Sequence, residues 1–174
     1  SYNLNSQIRS SGKIKSGLNT ISNKVKKGDE IGRLIENDLH ETMWKYCGVL
    51  RDKENLTKGL EKIYELKQRM KRLDVRVDSE NFSDLTLSFS LQSSLITGEA
   101  TILSALQREE SRGAHQRTDF PLISDKEKCN YHVKLGSNEK LELSRRALND
   151  LSNELKLKIN QTAQEINLKG RLLE

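Results

Sequence analysis

Glu110-Ser111-Arg112-Gly113-Ala114-His115-Gln116-Arg117-Thr118-Asp119-Phe120-Pro121 divides this chain into two periodicities. Before it, apolar residues recur at steps of three and four, the mark of helices; after it they alternate at steps of two, the mark of strands. The dodecamer holds two arginines, a histidine and two carboxylates, and ends at the only proline among 174 residues. Its glycine and proline predict a helix exit followed by a rigid turn. A guanidinium is a fixed fork suited to carboxylates, phosphates or backbone carbonyls, so this density of donors predicts that something specific is held here.

Working upstream, a helix is predicted over residues 83–110. Leu85, Phe89, Gln92, Ile96, Glu99, Leu103 and Leu106 form one strip, and Leu91, Leu95, Ile102 and Ala105 a second beside it. A stripe this wide packs against two neighbours. Before it, Asp78-Ser79-Glu80-Asn81 reads as a turn or cap. Leu56, Leu60, Ile63, Leu66, Met70 and Leu73 predict another helix, with Asp52 as its N-cap. Ile31, Leu34, Ile35, Leu39, Met43, Trp44 and Cys47 predict the first helix, ended by Gly48, with Met43 and Trp44 in the core and His40 as a capping or core-edge residue. Residues 1–22, rich in Ser, Asn, Gly and Lys, read as an extended lead-in or linker.

Downstream, Tyr131, Val133 and Leu135 alternate with His132 and Lys134. Gly136-Ser137-Asn138 then supplies a turn before Leu141 and Leu143, which predicts a hairpin. Residues 151–163 read as a short helix and 166–172 as a possible final strand, with one continuous helix over the last 30 residues as the alternative. The expected fold is therefore mainly α: an antiparallel three-helix bundle, spectrin-repeat-like, over residues 23–121, followed by a small hairpin-containing tail over 122–174.

Composition agrees with a thin bundle rather than an enzyme with a large pocket. Hydrophobic residues make up 34% and charged residues 32% of the chain. The net charge of +5 comes from 30 basic and 25 acidic residues that mostly alternate, which favours a solvated mixed surface over a nucleic-acid face. Cys47 and Cys129 form no CxxC, and neither they nor His40, His115 and His132 have ligand spacing, so neither a disulfide framework nor a metal site is expected. No apolar run is long enough to span a membrane. No nucleophile–base pair or Gly-rich phosphate loop stands out. On the residues alone, Arg112, His115, Arg117 and Asp119 form either an intramolecular salt-bridge knot or a docking site for another domain or an anion. The chain opens on Ser1 without a hydrophobic leader and reads as a piece of something larger.

The dodecamer resembles the ESRGAHxRxDxP signature in the carboxyl-terminal domain of succinate dehydrogenase and fumarate reductase flavoprotein subunits. Upstream, Met43-Trp44, the turn Gly48-Val49-Leu50-Arg51-Asp52, and Leu56 and Leu60 fit the same family, over residues 30–135 in all. L-aspartate oxidase shares the Glu-Ser-Arg-Gly start; the form from Gly113 to Asp119 leans towards the dehydrogenase and reductase branch. The resemblance implies a parent protein with an FAD-binding domain and a capping domain, in which hydride passes between flavin and succinate or fumarate and electrons continue to an iron-sulfur subunit. The family's catalytic and dinucleotide-binding residues have no counterpart here, so this domain alone is expected to bind no FAD and to be inactive. Its expected part is to brace the FAD domain of the same polypeptide, with Arg112, His115, Arg117 and Asp119 as docking and flavin-site support. Peripheral attachment at the cytoplasmic face of a membrane, through partner subunits, is implied as well. A stand-alone three-helix interaction module is the alternative.

Overall fold

The computed structural model describes residues 11–77, 82–149 and 151–171, with side chains given between 12 and 162. The turn expected at 78–81 lies outside them. The elements are helices α1 (Ser11–Ser22) and α2 (Gly32–Cys47), strand β1 (Leu50–Arg51), helices α3 (Lys53–Met70) and α4 (Ser83–Gln107), strands β2 (Gln116–Arg117), β3 (Cys129–Leu135) and β4 (Leu141–Ala147), and helix α5 (Asn153–Arg171).

α2, α3 and α4 pack against one another around a single core. Contacts along the bundle give their directions. A Cβ on Gly59 of α3 would meet Tyr46 of α2 and Ile102 of α4, and one on Gly98 of α4 would meet Ile63, Met43 and Leu39. Positions thus rise along α2 and α4 while falling along α3, the up-down-up order expected of an antiparallel bundle. The core comprises Ile35, Leu39 and Cys47 of α2, Leu56, Ile63 and Leu66 of α3, Leu91, Leu95, Ile102 and Ala105 of α4, and Leu73 and Val75 after α3. One ion pair interrupts this apolar interior: Lys67 of α3 to Glu99 of α4, whose side chain is 8% exposed.

Both ends of the bundle are closed by main chain. At one end, the segment before α2 pairs with the segment after α3, through Lys26 with Val75 and Glu30 with Leu73. Glu30 there accepts from Arg69 and Arg72. Gly28 is required at this clasp, because a Cβ would fall 2.0 Å from the Arg72 carbonyl oxygen. At the other end, β1 pairs in parallel with β2, Leu50 with Gln116 and Arg51 with Arg117. β3 and β4 form the expected hairpin, antiparallel from Cys129–Ala147 to Leu135–Leu141.

Several expectations change. Trp44 is not in the core but 83% exposed, and His40 is exposed too. α2 turns its narrow inner face, through Ile35, Leu39 and Thr42, to its neighbours, and Trp44 lies off that line. Met43 keeps a place against the core. In α4 the second apolar strip, not the first, is the inner one: Leu91, Leu95, Ile102 and Ala105 are buried while Phe89 is 37% exposed. Part of the extended lead-in is instead α1, whose Ile14, Leu18 and Ile21 recur at steps of four and three yet stay exposed. The short helix expected at 151–163 runs on as α5 in place of the final strand, though β4 keeps it shorter than the 30-residue helix of the alternative. Among the described residues no helix is long and apolar enough to cross a membrane.

Candidate functional site

Three chain segments converge where α2 ends, α3 begins and α4 ends, and the dodecamer ties them together. α3 starts on Asp52, whose carboxylate accepts from the Asn55 amide at 2.8 Å, an N-cap of the expected kind. α4 poses the harder problem. A helix leaves its last four carbonyls without partners, and α4 stops at Gln107, before the expected 110, with no basic residue in its last turn.

One of those carbonyls is met by the ladder's last rung and two by a side chain from outside the helix. The Arg108 amide donates to Ser104 O at 3.1 Å. Arg117 Nη1 donates to Ala105 O at 2.7 Å and to Leu106 O at 3.2 Å. Tyr131 Oη of the hairpin lies 3.2 Å from Gln107 O, but its one proton goes to the Glu127 carboxylate, the shorter of its two contacts. Arg117 thus does the work a glycine C-cap does in other helices. The glycine of the dodecamer serves elsewhere: Gly113, at φ +58, makes the turn that lets Arg112 and His115 exchange backbone hydrogen bonds.

Arg117 is 1% exposed, so its charge requires a partner. Asp119 provides it through a two-point contact, Nε to Oδ1 at 2.7 Å and Nη2 to Oδ2 at 2.8 Å. The Arg117 hydrogen bond, against the opposing pull of desolvation, holds the Asp119 carboxyl down to about 2. Oδ2 also accepts from the Lys53 amide at 3.0 Å, which joins the motif to the first turn of α3. The Phe120 ring lies over the guanidinium, 4.9 Å from its carbon.

Glu110 is the second hub. Its carboxylate is fully buried and accepts from Arg108 Nη1 at 2.6 Å, Arg112 Nε at 2.9 Å and the Ser124 amide at 2.9 Å. The Arg112 hydrogen bond leads the causes that keep this acid ionised to about pH 2. Arg112 also reaches Ser124 O, and Arg108 reaches Glu127 O and Cys129 O, so the tail is strapped to the bundle through arginines. Ser111, buried, crosses the turn: its hydroxyl donates to the Phe120 carbonyl at 2.9 Å and accepts the Arg117 amide at 2.8 Å.

His115 has a fixed protonation pattern. Arg51 Nη1 lies 3.0 Å from Nδ1, and the Arg108 carbonyl oxygen lies 3.2 Å from Nε2. A guanidinium only donates and a carbonyl only accepts, so Nδ1 carries the lone pair and Nε2 the proton. Burial, with Arg51 and Arg108 close by, lowers the imidazole pKa and keeps the ring neutral. Arg51 is held in turn by Gly48 O, at 2.7 Å from its Nε, while its own carbonyl accepts from the Thr118 amide at 2.8 Å.

The residues singled out in the sequence, Arg112, His115, Arg117 and Asp119, are therefore brought together, and each has partners within this chain. Arg112 keeps the most surface of the charged members, 38% of its side chain. Arg51, Arg108, Glu110, Ser111 and Tyr131 complete the knot. Glu110 and Ser111 lie inside the quoted dodecamer and Arg51 in the quoted turn; nothing in the spacing of Arg108 or Tyr131 marks them as members of the knot. Burial pushes the Cys47 thiol up, which leaves it an ordinary core residue.

The bundle with its hairpin has counterparts among solved structures. E. coli quinol fumarate reductase superposes with a TM-score of 0.75 at 25% identity, covering 81% of this chain and 25% of that one. Mycobacterium smegmatis Sdh1 gives 0.71 at 20% identity, a likeness of fold. The chain belongs to the family described as Fumarate reductase flavoprotein C-term, which matches residues 36–169. It is 36% identical over 111 residues to an uncharacterized FAD-dependent oxidoreductase of Methanocaldococcus jannaschii, covering 62% of this chain and 19% of that protein. It is 35% identical over 105 residues to the fumarate reductase flavoprotein subunit of Haemophilus influenzae, covering 60% and 17%. The chain thus spans less than a fifth of the length of the curated relatives it matches.

Relatives that carry flavin make the donor set here worth testing against one. Arg108, Arg112 and Arg117 are engaged by Glu110, Asp119 and main-chain carbonyls. The one glycine in the dodecamer forms a two-residue turn and precedes no helix. These residues do not fit a dinucleotide cradle.

Proposed function

We propose that this chain is the carboxyl-terminal, non-catalytic domain of an FAD-dependent flavoprotein subunit that interconverts succinate and fumarate, and that it braces the FAD-binding domain of the same polypeptide. The observation that carries the reading is the family match over residues 36–169, a span that includes the arginine knot. In this reading Arg117 and Asp119 keep the end of the bundle in shape, while His115 locks the Arg51 turn to α4. Arg112, with side-chain surface to spare, contacts the neighbouring domain. Electrons leave for an iron-sulfur subunit, and the assembly sits at the inner face of a membrane through other subunits. The domain alone holds no FAD and turns over no dicarboxylate.

The test is complementation. Joined to the amino-terminal part of its flavoprotein, the chain should restore dye reduction that depends on succinate, or dye oxidation that depends on fumarate. The isolated chain mixed with FAD should show no flavin absorbance after gel filtration. Turnover of L-aspartate instead would move the parent to the sister oxidase, and stoichiometric flavin on the isolated chain would refute the brace.

A further inference from the structure

The five most exposed large hydrophobic residues among those described all lie at the knotted end of the bundle. They are Trp44 at 83%, Leu122 at 79%, Leu50 at 71%, Val49 at 68% and Ile123 at 66%. Trp44 is in the last turn of α2, Val49 and Leu50 make the turn between α2 and α3, and Leu122 and Ile123 follow the dodecamer. A soluble protein rarely leaves such a group uncovered without a partner for it.

Four of these residues, Val49, Leu50, Leu122 and Ile123, sit on backbone that is tied down. The Val49–Leu50 turn is fixed by Arg51, through its side chain to Gly48 O and His115 and through its carbonyl to Thr118. Leu122 accepts from the Ser111 amide at 3.1 Å, and the next two residues are tied by Ser124 to Glu110 and Arg112. Apolar groups on a fixed frame lose little freedom on docking, and a large aromatic is a usual anchor of an interface. The polar knot and the apolar cap are therefore one device: the charges satisfy each other inside and hold the hydrophobic groups out.

We infer that Trp44, Val49, Leu50, Leu122 and Ile123 form the face on which the remaining part of the flavoprotein polypeptide seats, rather than a site for a second copy. This rests on the proposed function and gives the brace its contact surface. The relatives supply the occupant, since more than four-fifths of their length lies outside the part matched here. A domain on the same chain meets this face at about millimolar effective concentration, whereas a free copy binds only at its own concentration.

Hydroxyl-radical footprinting read by mass spectrometry tests the inference. Trp44, the only tryptophan of the chain, should oxidise severalfold more slowly in the intact flavoprotein than in the 174-residue chain. Trp44→Glu and Leu50→Glu should leave the melting temperature of the 174-residue chain unchanged, yet release flavin from the intact protein on gel filtration. Equal oxidation of Trp44 in both forms, or full flavin retention by both variants, overturns the inference. So does protection of Trp44 in the isolated chain that grows with concentration, which assigns the face to self-association. Dicarboxylate turnover by the unsubstituted flavoprotein separates the two claims: active protein with an unprotected Trp44 sinks only the surface, and inactive protein sinks the function.

Discussion

Removing the Arg117 fork is the sharpest test of the knot. Arg117→Ala takes the donor away from Ala105 O and Leu106 O at once. The Arg108 carbonyl is spared, because His115 still donates to it. Each buried acceptor left bare costs about 1–3 kcal/mol. Asp119 loses its counter-charge but, with 30% of its side chain exposed, recovers part of its hydration. Together these put the loss at about 3–5 kcal/mol, the range for breaking one side of a buried pair. At about 2–4 °C per kcal/mol for a chain this long, the melting temperature falls by about 10 °C. Arg117→Lys keeps the charge but not the planar fork, so it should lose most of the same amount. Asp119→Asn strands a guanidinium that is only 1% exposed and should be costly as well. Combining Arg117→Ala with Asp119→Asn should therefore destabilise by less than the sum of the single changes, with a coupling of about 1–3 kcal/mol. Urea unfolding of the four variants measures this. An Arg117→Ala chain within about 1 kcal/mol of the parent, or strictly additive single changes, would refute the capping argument.

Other expectations concern pH and packing. Glu110 and Asp119 ionise well below their ordinary values of 4.5 and 3.8, so their contribution is complete above about pH 4.5 and is lost as pH falls towards 2. Urea midpoints at pH 5 and pH 3 should differ, and less so in a Glu110→Gln, Asp119→Asn chain. His115 acts with the same sign in a higher window, since its lowered pKa makes the folded state resist a proton taken up below about 6.5; His115→Gln should flatten the stability profile between pH 7 and 5. Gly59→Ala should destabilise by about 1–3 kcal/mol despite the better helix propensity of alanine, because its Cβ would lie 2.8 Å from Tyr46 Cβ. Gly98→Ala meets only the flexible ends of Ile63, Met43 and Leu39 at 3.2 Å or more and should be close to neutral by thermal melting. Tyr131→Phe removes the hydroxyl that donates to the Glu127 carboxylate and should cost about 1–3 kcal/mol, readable in the same assay.

The bundle was legible because three long stripes, a cap at Asp52 and a glycine at the end of α2 all point the same way. Periodicity gives the axis of a helix better than its rotation. That is why Trp44 was expected inside, and why α4 buries its second strip rather than its first. The hairpin was readable from alternation around Gly136, whereas α5 gives mixed signals because its apolar residues pack on little else among the described residues. α1 leaves a weak signal in the sequence because Ile14, Leu18 and Ile21 are diluted by Ser, Gly and Asn. In the candidate site the charged residues could be picked out by type. Their partners could not, because Arg117 reaches back to carbonyls that only the folded helix presents. Main-chain acceptors leave no trace in a sequence.

The parallel pairing of β1 with β2 joins residues 66 positions apart, so the knotted end depends on the order in which the chain appears. A nascent polypeptide stopped at Gln107 would own every helix of the bundle and still lack the strand and the fork that finish its tip. The tip is thus completed only by residues that follow all three helices of the bundle in the chain.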